Sequence, residues 1–191
     1  PWLSLDIGNV GISGFTEFNG RNFTLEGEGS DINGESDKLH FAFAPFIGEG
    51  TITARIIRPM SSQWTKPGVM MRESLDADSR HASVLLLPHW SGALVTRMES
   101  GGTTTIHGKR QLSEKHIIKK NRLSTPYWVR LIRFRDRFTG YMSPDGFHWQ
   151  ELGSVEIPMS RKFYIGLPAC SQLKKVTTTV TYDNVSIPTW R

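Results

Sequence analysis

The 191-residue chain has a single cysteine, Cys170. It therefore has no internal disulfide framework and no cysteine-based zinc site. Long apolar runs are also missing. The longest aliphatic stretch, Val84-Leu85-Leu86-Leu87, ends at Pro88, far short of the roughly 20 residues that a membrane helix needs. No charged region followed by an apolar core opens the sequence, so a targeting segment is expected to be absent or already removed. Helical periodicity is scarce, and only residues 109–122 lack strand alternation for long enough to predict a helical turn or two. The six histidines show no i, i+4 pairing of the kind that binds zinc on a helix.

What is present is a rhythm of two. Apolar and polar residues alternate in short segments, and turn formers recur every eight to twelve residues, the pattern of an all-β sandwich or barrel. Strands are predicted at residues 23–25, 39–43, 51–57, 68–73, 81–87, 93–98, 127–134, 137–143, 149–155, 163–169 and 176–187. Arg135-Asp136 and Pro144-Asp145-Gly146 mark two reversals. With no repeat and no linker-like tract, residues 1–191 are expected to form one domain. Strand parity puts Trp128 and Trp149 in alternating segments, where they are expected to fill the core. Trp64 and Trp90 sit in loop-like surroundings and are expected at the surface. Trp2 and Trp190 are read as edge covers if the first and last strands pair. Cys170 is read as strand-end packing.

Charge is unevenly spread. Residues 1–50 hold eight acidic residues against two basic ones, a net of −6, while residues 109–137 hold ten basic against two acidic, a net of +8. The basic stretch suits an acidic polysaccharide, a nucleic acid, or simply solvent and the acidic third of the same chain. Aromatic residues are sparse between Lys109 and Arg122, which argues against nucleic acid.

An ordered series of short motifs carries a resemblance. It runs from Asp6-Ile7-Gly8 and Gly11-Ile12-Ser13-Gly14 through Gly29-Ser30-Asp31-Ile32, Asp37 with His40-Phe41, and Gly48-Glu49-Gly50-Thr51-Ile52. It continues with Trp64-Thr65-Lys66-Pro67-Gly68-Val69-Met70-Met71-Arg72-Glu73-Ser74-Leu75, Ser79-Arg80-His81-Ala82 and Tyr127-Trp128-Val129-Arg130-Leu131. Phe138-Thr139-Gly140-Tyr141, Ser143-Pro144-Asp145-Gly146 and Tyr182-Asp183-Asn184-Val185 complete it. Nearly the whole chain thereby resembles the concanavalin A-like domains, related to the regulation-of-enolase family, that occur in secreted bacterial proteins. The resemblance implies a two-sheet antiparallel jelly-roll sandwich of the lectin/glucanase type, extracellular or periplasmic use, and a carbohydrate-binding or accessory role. It names no catalytic residue, and residues 103–125 depart from it as an apparent basic insertion.

The residues themselves nominate a ligand groove at Trp64, Arg72, Glu73, His81, Trp90 and Arg97. A guanidinium fork donates to sugar hydroxyls, and an indole face stacks on a pyranose. Period two puts Met70 and Arg72 on one face of their strand and Val69, Met71 and Glu73 on the other, without saying which face is the core. The alternative for these charges is an internal Arg–carboxylate bridge that holds adjacent strands in register.

Catalysis of glycoside hydrolysis needs two carboxylates about 5–10 Å apart across a groove. Glu26/Glu28 and Glu35/Asp37 have same-face spacing but lie among turn residues. Arg72, His107 and Tyr141 supply lyase-type groups without a lyase pattern. A polysaccharide-degrading enzyme and a purely structural domain thus remain the alternatives to a non-catalytic glycan binder. No cofactor is required by any motif. Structural calcium is the ion that Asp6, Asp31 and Asp183 near glycine turns would take, the rival role being ordinary Asx-turn bonding. Asn22-Phe23-Thr24 and Asn184-Val185-Ser186 match the glycosylation acceptor pattern. Oligomeric state is not written in any motif.

Overall fold

A computed structural model describes residues 2–57, 64–87, 91–111, 117–118, 122–123 and 126–188. Two seven-stranded antiparallel sheets face each other, and no helix occurs among the described residues. Numbering strands in chain order, the first sheet runs β1 (Leu3–Ile7), β4 (Leu39–Ile47), β15 (Lys162–Ala169), β6 (Gly68–Arg72), β7 (His81–Leu87), β8 (Ser91–Arg97) and β9 (Thr105–Gln111). The second runs β14 (Gln150–Glu156), β13 (Arg137–Ser143), β12 (Tyr127–Phe134), β5 (Gly50–Ile56), β16 (Thr178–Ser186), β3 (Phe23–Gly27) and β2 (Phe15–Phe18). A two-residue pair, β10 (Ile117–Ile118) with β11 (Arg122–Leu123), stands apart. The all-β chain expected from alternation and the two-sheet antiparallel jelly-roll sandwich implied by the resemblance are therefore the fold.

Three local expectations are corrected. The first and last strands do not pair: β1 lies against β4 in the first sheet, whereas β16 sits between β5 and β3 in the second. In the stretch expected to hold a helical turn, the described residues are strand: β9 runs to Gln111 beside β8, and β10 pairs with β11, while residues 112–116 and 119–121 lie outside the described residues. β9 begins with the strand formers Thr105 and Ile106, and its register against β8 shifts at Leu94/Val95, which leaves His107 without a partner. Third, Trp128 and Trp149 are only half-buried and lie outside the core.

The two sheets differ in how many faces they bury. Between them lies one core, with Val69, Met71, Val84, Leu86, Leu94, Ile165 and Leu167 meeting Leu25, Ile52, Ile56, Val129, Leu131, Phe138 and Val180. Tyr182 is locked within it, its hydroxyl donating to Pro168 O at 2.8 Å and accepting from Gly68 N at 3.1 Å. A second cluster occupies the opposite face of the first sheet. Leu39, Phe41, Phe43, Met70, Leu85, Ala93 and Val95 are covered there by Ile32, Leu75, Ala77 and Cys170 from loops. This is why β6, β7 and β8 read as continuous apolar runs rather than alternating ones. Among the described residues no such cluster covers the second sheet, and β12 alternates between buried residues and half-buried or exposed ones.

Candidate functional site

Arg72, His81 and Arg97 stand side by side on β6, β7 and β8, in register across the outward face of the first sheet. Asp37, carried by the loop after β3, drops onto all three. Its Oδ2 accepts from Arg72 Nη1 at 3.0 Å and Arg97 Nη1 at 2.9 Å, and its Oδ1 accepts from Arg97 Nη2 at 2.7 Å. All four side chains are 0% exposed. The remaining guanidinium donors reach carbonyls of Ser74, Asp76, Gly34, Ser79 and Gly102. These three residues therefore line no open groove. They form the internal Arg–carboxylate bridge that was the alternative, because a loop distant in sequence supplies the carboxylate.

Burial drives the His81 imidazole down to about 3, against the pull of Asp37, so it is neutral at neutral pH. Its Nδ1 pairs with Ser83 Oγ at 3.0 Å, while Nε2 has no hydrogen-bond partner and lies 3.9 Å from Asp37 Oδ2. Burial alone would raise the Asp37 carboxyl. His81 and the two guanidinia outweigh it, and the group stays below its ordinary value.

The other nominated residues scatter. The Glu73 carboxylate accepts from Ser160 N at 2.7 Å and Arg80 Nη1 at 3.4 Å, away from Asp37. Trp64 is 39% exposed. Trp90 lies outside the described residues. Beside the sealed cluster, the outward face of the first sheet has a hollow of about 280 Å³ bordered by Ile32, Lys66, Val95, Thr104 and Lys109.

Asp6, Asp31 and Asp183 do not converge. Asp6 accepts from His40 Nδ1 at 2.7 Å and from Gly14 N at 3.0 Å. Asp31 takes Lys66 Nζ at 2.5 Å and Gln172 Nε2 at 2.7 Å, and Asp183 takes Arg55 Nε at 2.7 Å and Nη2 at 2.5 Å. Each carboxylate faces a cation or N–H donor. Among the described residues no group of three or more His, Cys, Asp or Glu is placed to hold a metal ion. The lyase-type trio separates as well: Arg72 is sealed, His107 lies on edge strand β9 and Tyr141 lies on β13 of the second sheet.

The open face of the second sheet carries what the sequence reading placed in the core. Val129 and Leu131 point inward, so Trp128 and Arg130 point outward. The Arg130 guanidinium lies 3.8 Å from the centroid of the Trp149 ring, and its Nε donates to Thr53 Oγ1 at 2.9 Å. Tyr141 is the cross-strand neighbour of Arg130. Burial and Glu151 raise its phenol, which stays a hydrogen-bond donor. Arg55, oriented by its bidentate pair with Asp183, sits 5.5 Å from the Trp128 ring.

The β13–β14 turn fixes this surface. Asp145 accepts from the N–H groups of Phe147 and His148 at 2.8 Å each and from His148 Nδ1 at 2.6 Å; these bonds hold its carboxyl well below the usual range. Trp149 Nε1 donates to Gly146 O at 3.0 Å. Gly146 has φ +82° and lies so close to Trp128 that a Cβ there would stand 2.8 Å from the indole. Glycine is needed on both counts. Phe147 is 86% exposed beside this turn. The signal that finds this face in the sequence is Trp128-x-Arg130: on one strand an outward arginine implies an outward tryptophan two residues away.

No protein-family model and no curated protein sequence matches the chain. Solved structures do. A functionally unknown protein from Saccharomyces cerevisiae is similar with a TM-score of 0.69 at 16% identity, over 100% of this chain and 96% of that one. A family-66 carbohydrate-binding module from Bacillus subtilis is similar at 0.62 and 14%, over 98% and 95%. A Bauhinia forficata lectin, in complex with GalNAc, is similar at 0.53 and 10%, over 99% and 99%. At these identities the likeness is one of fold, a jelly-roll sandwich shared with binding modules and lectins.

Proposed function

We propose that this protein is a non-catalytic glycan-binding module whose ligand lies on the open face of the second sheet, across Trp128, Arg130, Tyr141 and Trp149. The observation that carries this reading is the convergence of two half-buried indoles, a phenol and a guanidinium on one outward sheet face that no cluster of the described residues covers. Aromatic rings take the apolar C–H faces of sugar rings. The guanidinium and phenol donate to hydroxyls, and Arg130 is already stacked and tethered, so little side-chain entropy is lost on binding. Sandwiches of the same fold that bind carbohydrate support the ligand class by analogy. Use outside the cytoplasm, in the manner of accessory modules, belongs to the same proposal.

Against a hydrolase, two carboxylates beside this face are already committed, Asp145 to its own turn and Asp183 to Arg55. Burial would raise Asp183, but its bonds to Arg55 outweigh that and hold it ionised, so it is no proton donor. A glycan array followed by titration on tryptophan fluorescence tests the reading. Arg130→Gln and Tyr141→Phe are each expected to weaken the best array ligand about tenfold, or roughly 1.4 kcal/mol, while the thermal midpoint stays within a few degrees. Wild-type affinity in both variants, or no bound glycan at all, removes the proposal. Release of reducing ends from a bound polysaccharide would replace it with a catalytic one.

A further inference from the structure

At the end of the sandwich away from Trp128, the β4–β5 turn, the β12–β13 turn and the segment before β15 enclose a hollow of about 490 Å³. Arg133, Arg135 and Arg161 border it, with Glu49, Asp136 and an apolar side of Ile47 and Met159. The hollow is large for a lone inorganic ion and falls within the range of small-molecule sites.

Arg133 is the built element. It points inward from β12 and is 3% exposed. Its Nε donates to Arg135 O at 2.9 Å, its Nη1 to Ser160 O at 2.8 Å and its Nη2 to Met159 O at 2.5 Å. The rings of Phe163 and Phe138 lie 4.7 Å and 5.3 Å from its guanidinium carbon. Its nearest carboxylate, Asp136, is 3.9 Å away and half in solvent. Asp136, Glu73 and Glu49 act on this buried cation only through space and its hydrogen bonds go to neutral carbonyls, so its charge is offset in part. With two further arginines against two carboxylates at the hollow, the balance there is positive.

Arg135 and Arg161 contribute to that balance from the rim. Neither has a carboxylate partner among the described residues: Arg135 stacks on Phe134, and Arg161 reaches over Gly48. Arg135 also occupies φ +54°, a left-handed position in a two-residue turn where glycine or asparagine is at ease. An arginine held at some cost in a turn beside a hollow points to a use for its side chain.

We infer that this hollow is a subsite for an oxyanion substituent, a carboxylate or a sulfate ester, on an acidic polysaccharide. Arg135 and Arg161 would grip the anion and Ile47 and Met159 would take the ring. The inference rests on the glycan-binding reading for the nature of the ligand but not on the aromatic face for its affinity. A chain running along β12 from Trp128 to Arg133 spans about 17 Å, so one polymer can engage both ends.

The test titrates the full chain at fixed ionic strength with polygalacturonate, dextran sulfate and unsubstituted dextran. It compares Arg135→Gly/Arg161→Gln with a charge-loss control, Lys109→Gln, on the first sheet. Thermal midpoints verify folding, which glycine at φ +54° favours. The double variant is expected to lose at least tenfold in affinity for one of the two polyanions, and the control less than twofold; whichever polyanion responds identifies the substituent. Equal losses in the variant and the control, or no polyanion binding by the native chain, overturn the inference. Trp149→Ala separates the two readings. If it leaves polyanion binding intact while the arginine variant abolishes it, the hollow stands and the aromatic face falls. Loss with Trp149→Ala alone reverses that outcome.

Discussion

Asp37 and Arg97, 60 residues apart, meet through two hydrogen bonds of 2.7 and 2.9 Å inside the outward face of the first sheet. Among the described residues Asp37 is the one carboxylate in ion-pair contact with both Arg72 and Arg97, offsetting one of their two charges, and it pins the loop after β3 across that sheet.

Removing that charge should therefore be severe. Asp37→Asn leaves two buried guanidinia without a counter-charge and is expected to cost about 3–5 kcal/mol, measured by urea or thermal unfolding. Glu73→Gln, whose partner Arg80 is partly exposed, should cost less than about 1 kcal/mol. Similar losses in the two variants would mean that Asp37 is not the keystone of this face.

His81 gives the fold an acid limit. Its folded value near 3 lies below the ordinary 6.5, so between those values the unfolded chain binds a proton that the folded chain refuses. The resulting contribution is a loss of stability as pH falls through this window, with a slope approaching about 1.4 kcal/mol per pH unit and about 2 kcal/mol lost by pH 5. Asp37, held below its ordinary value, adds a loss of the same sign at still lower pH. Unfolding free energies at pH 7, 6 and 5 check the slope. His81→Gln should flatten it, whatever its effect on absolute stability.

Cys170 is expected to be chemically silent in the native state. Burial raises its thiol to about 12, and its Sγ lies 3.4 Å from Gly29 O beneath the loop. A thiol reagent at pH 8 should label it only at the rate of unfolding and stoichiometrically in denaturant. Fast labelling of the folded protein would show that this loop opens readily.

Trp149→Ala should separate binding from folding. The indole is half-buried, so its loss is expected to cost about 1–2 kcal/mol of stability, less than the truncation of a core aromatic. Glycan affinity should fall at least tenfold, as read by calorimetry on protein whose circular dichroism is unchanged. An undiminished affinity would place the ligand elsewhere.

Much of this molecule was legible in the order of its residues. Period-two alternation and turn chemistry determine an all-β chain, and Arg135-Asp136 and Pro144-Asp145-Gly146 locate two reversals, because these are local effects of pleating and backbone dihedrals. The parity of Trp128, Val129, Arg130 and Leu131 also determines that the tryptophan and arginine share a face. Which face lies open was decided only in three dimensions. The same alternation that turns Arg72 away from Met71 is equally consistent with a groove and with an interior. The choice falls to Ile32, Asp37 and Leu75, which arrive from distant loops and cover the first sheet. Among the described residues no such cluster covers Trp128 and Arg130 on the second. Strand parity is a short-range property of the backbone; the identity of the covered face depends on long-range contacts, and those exist only once the chain has folded.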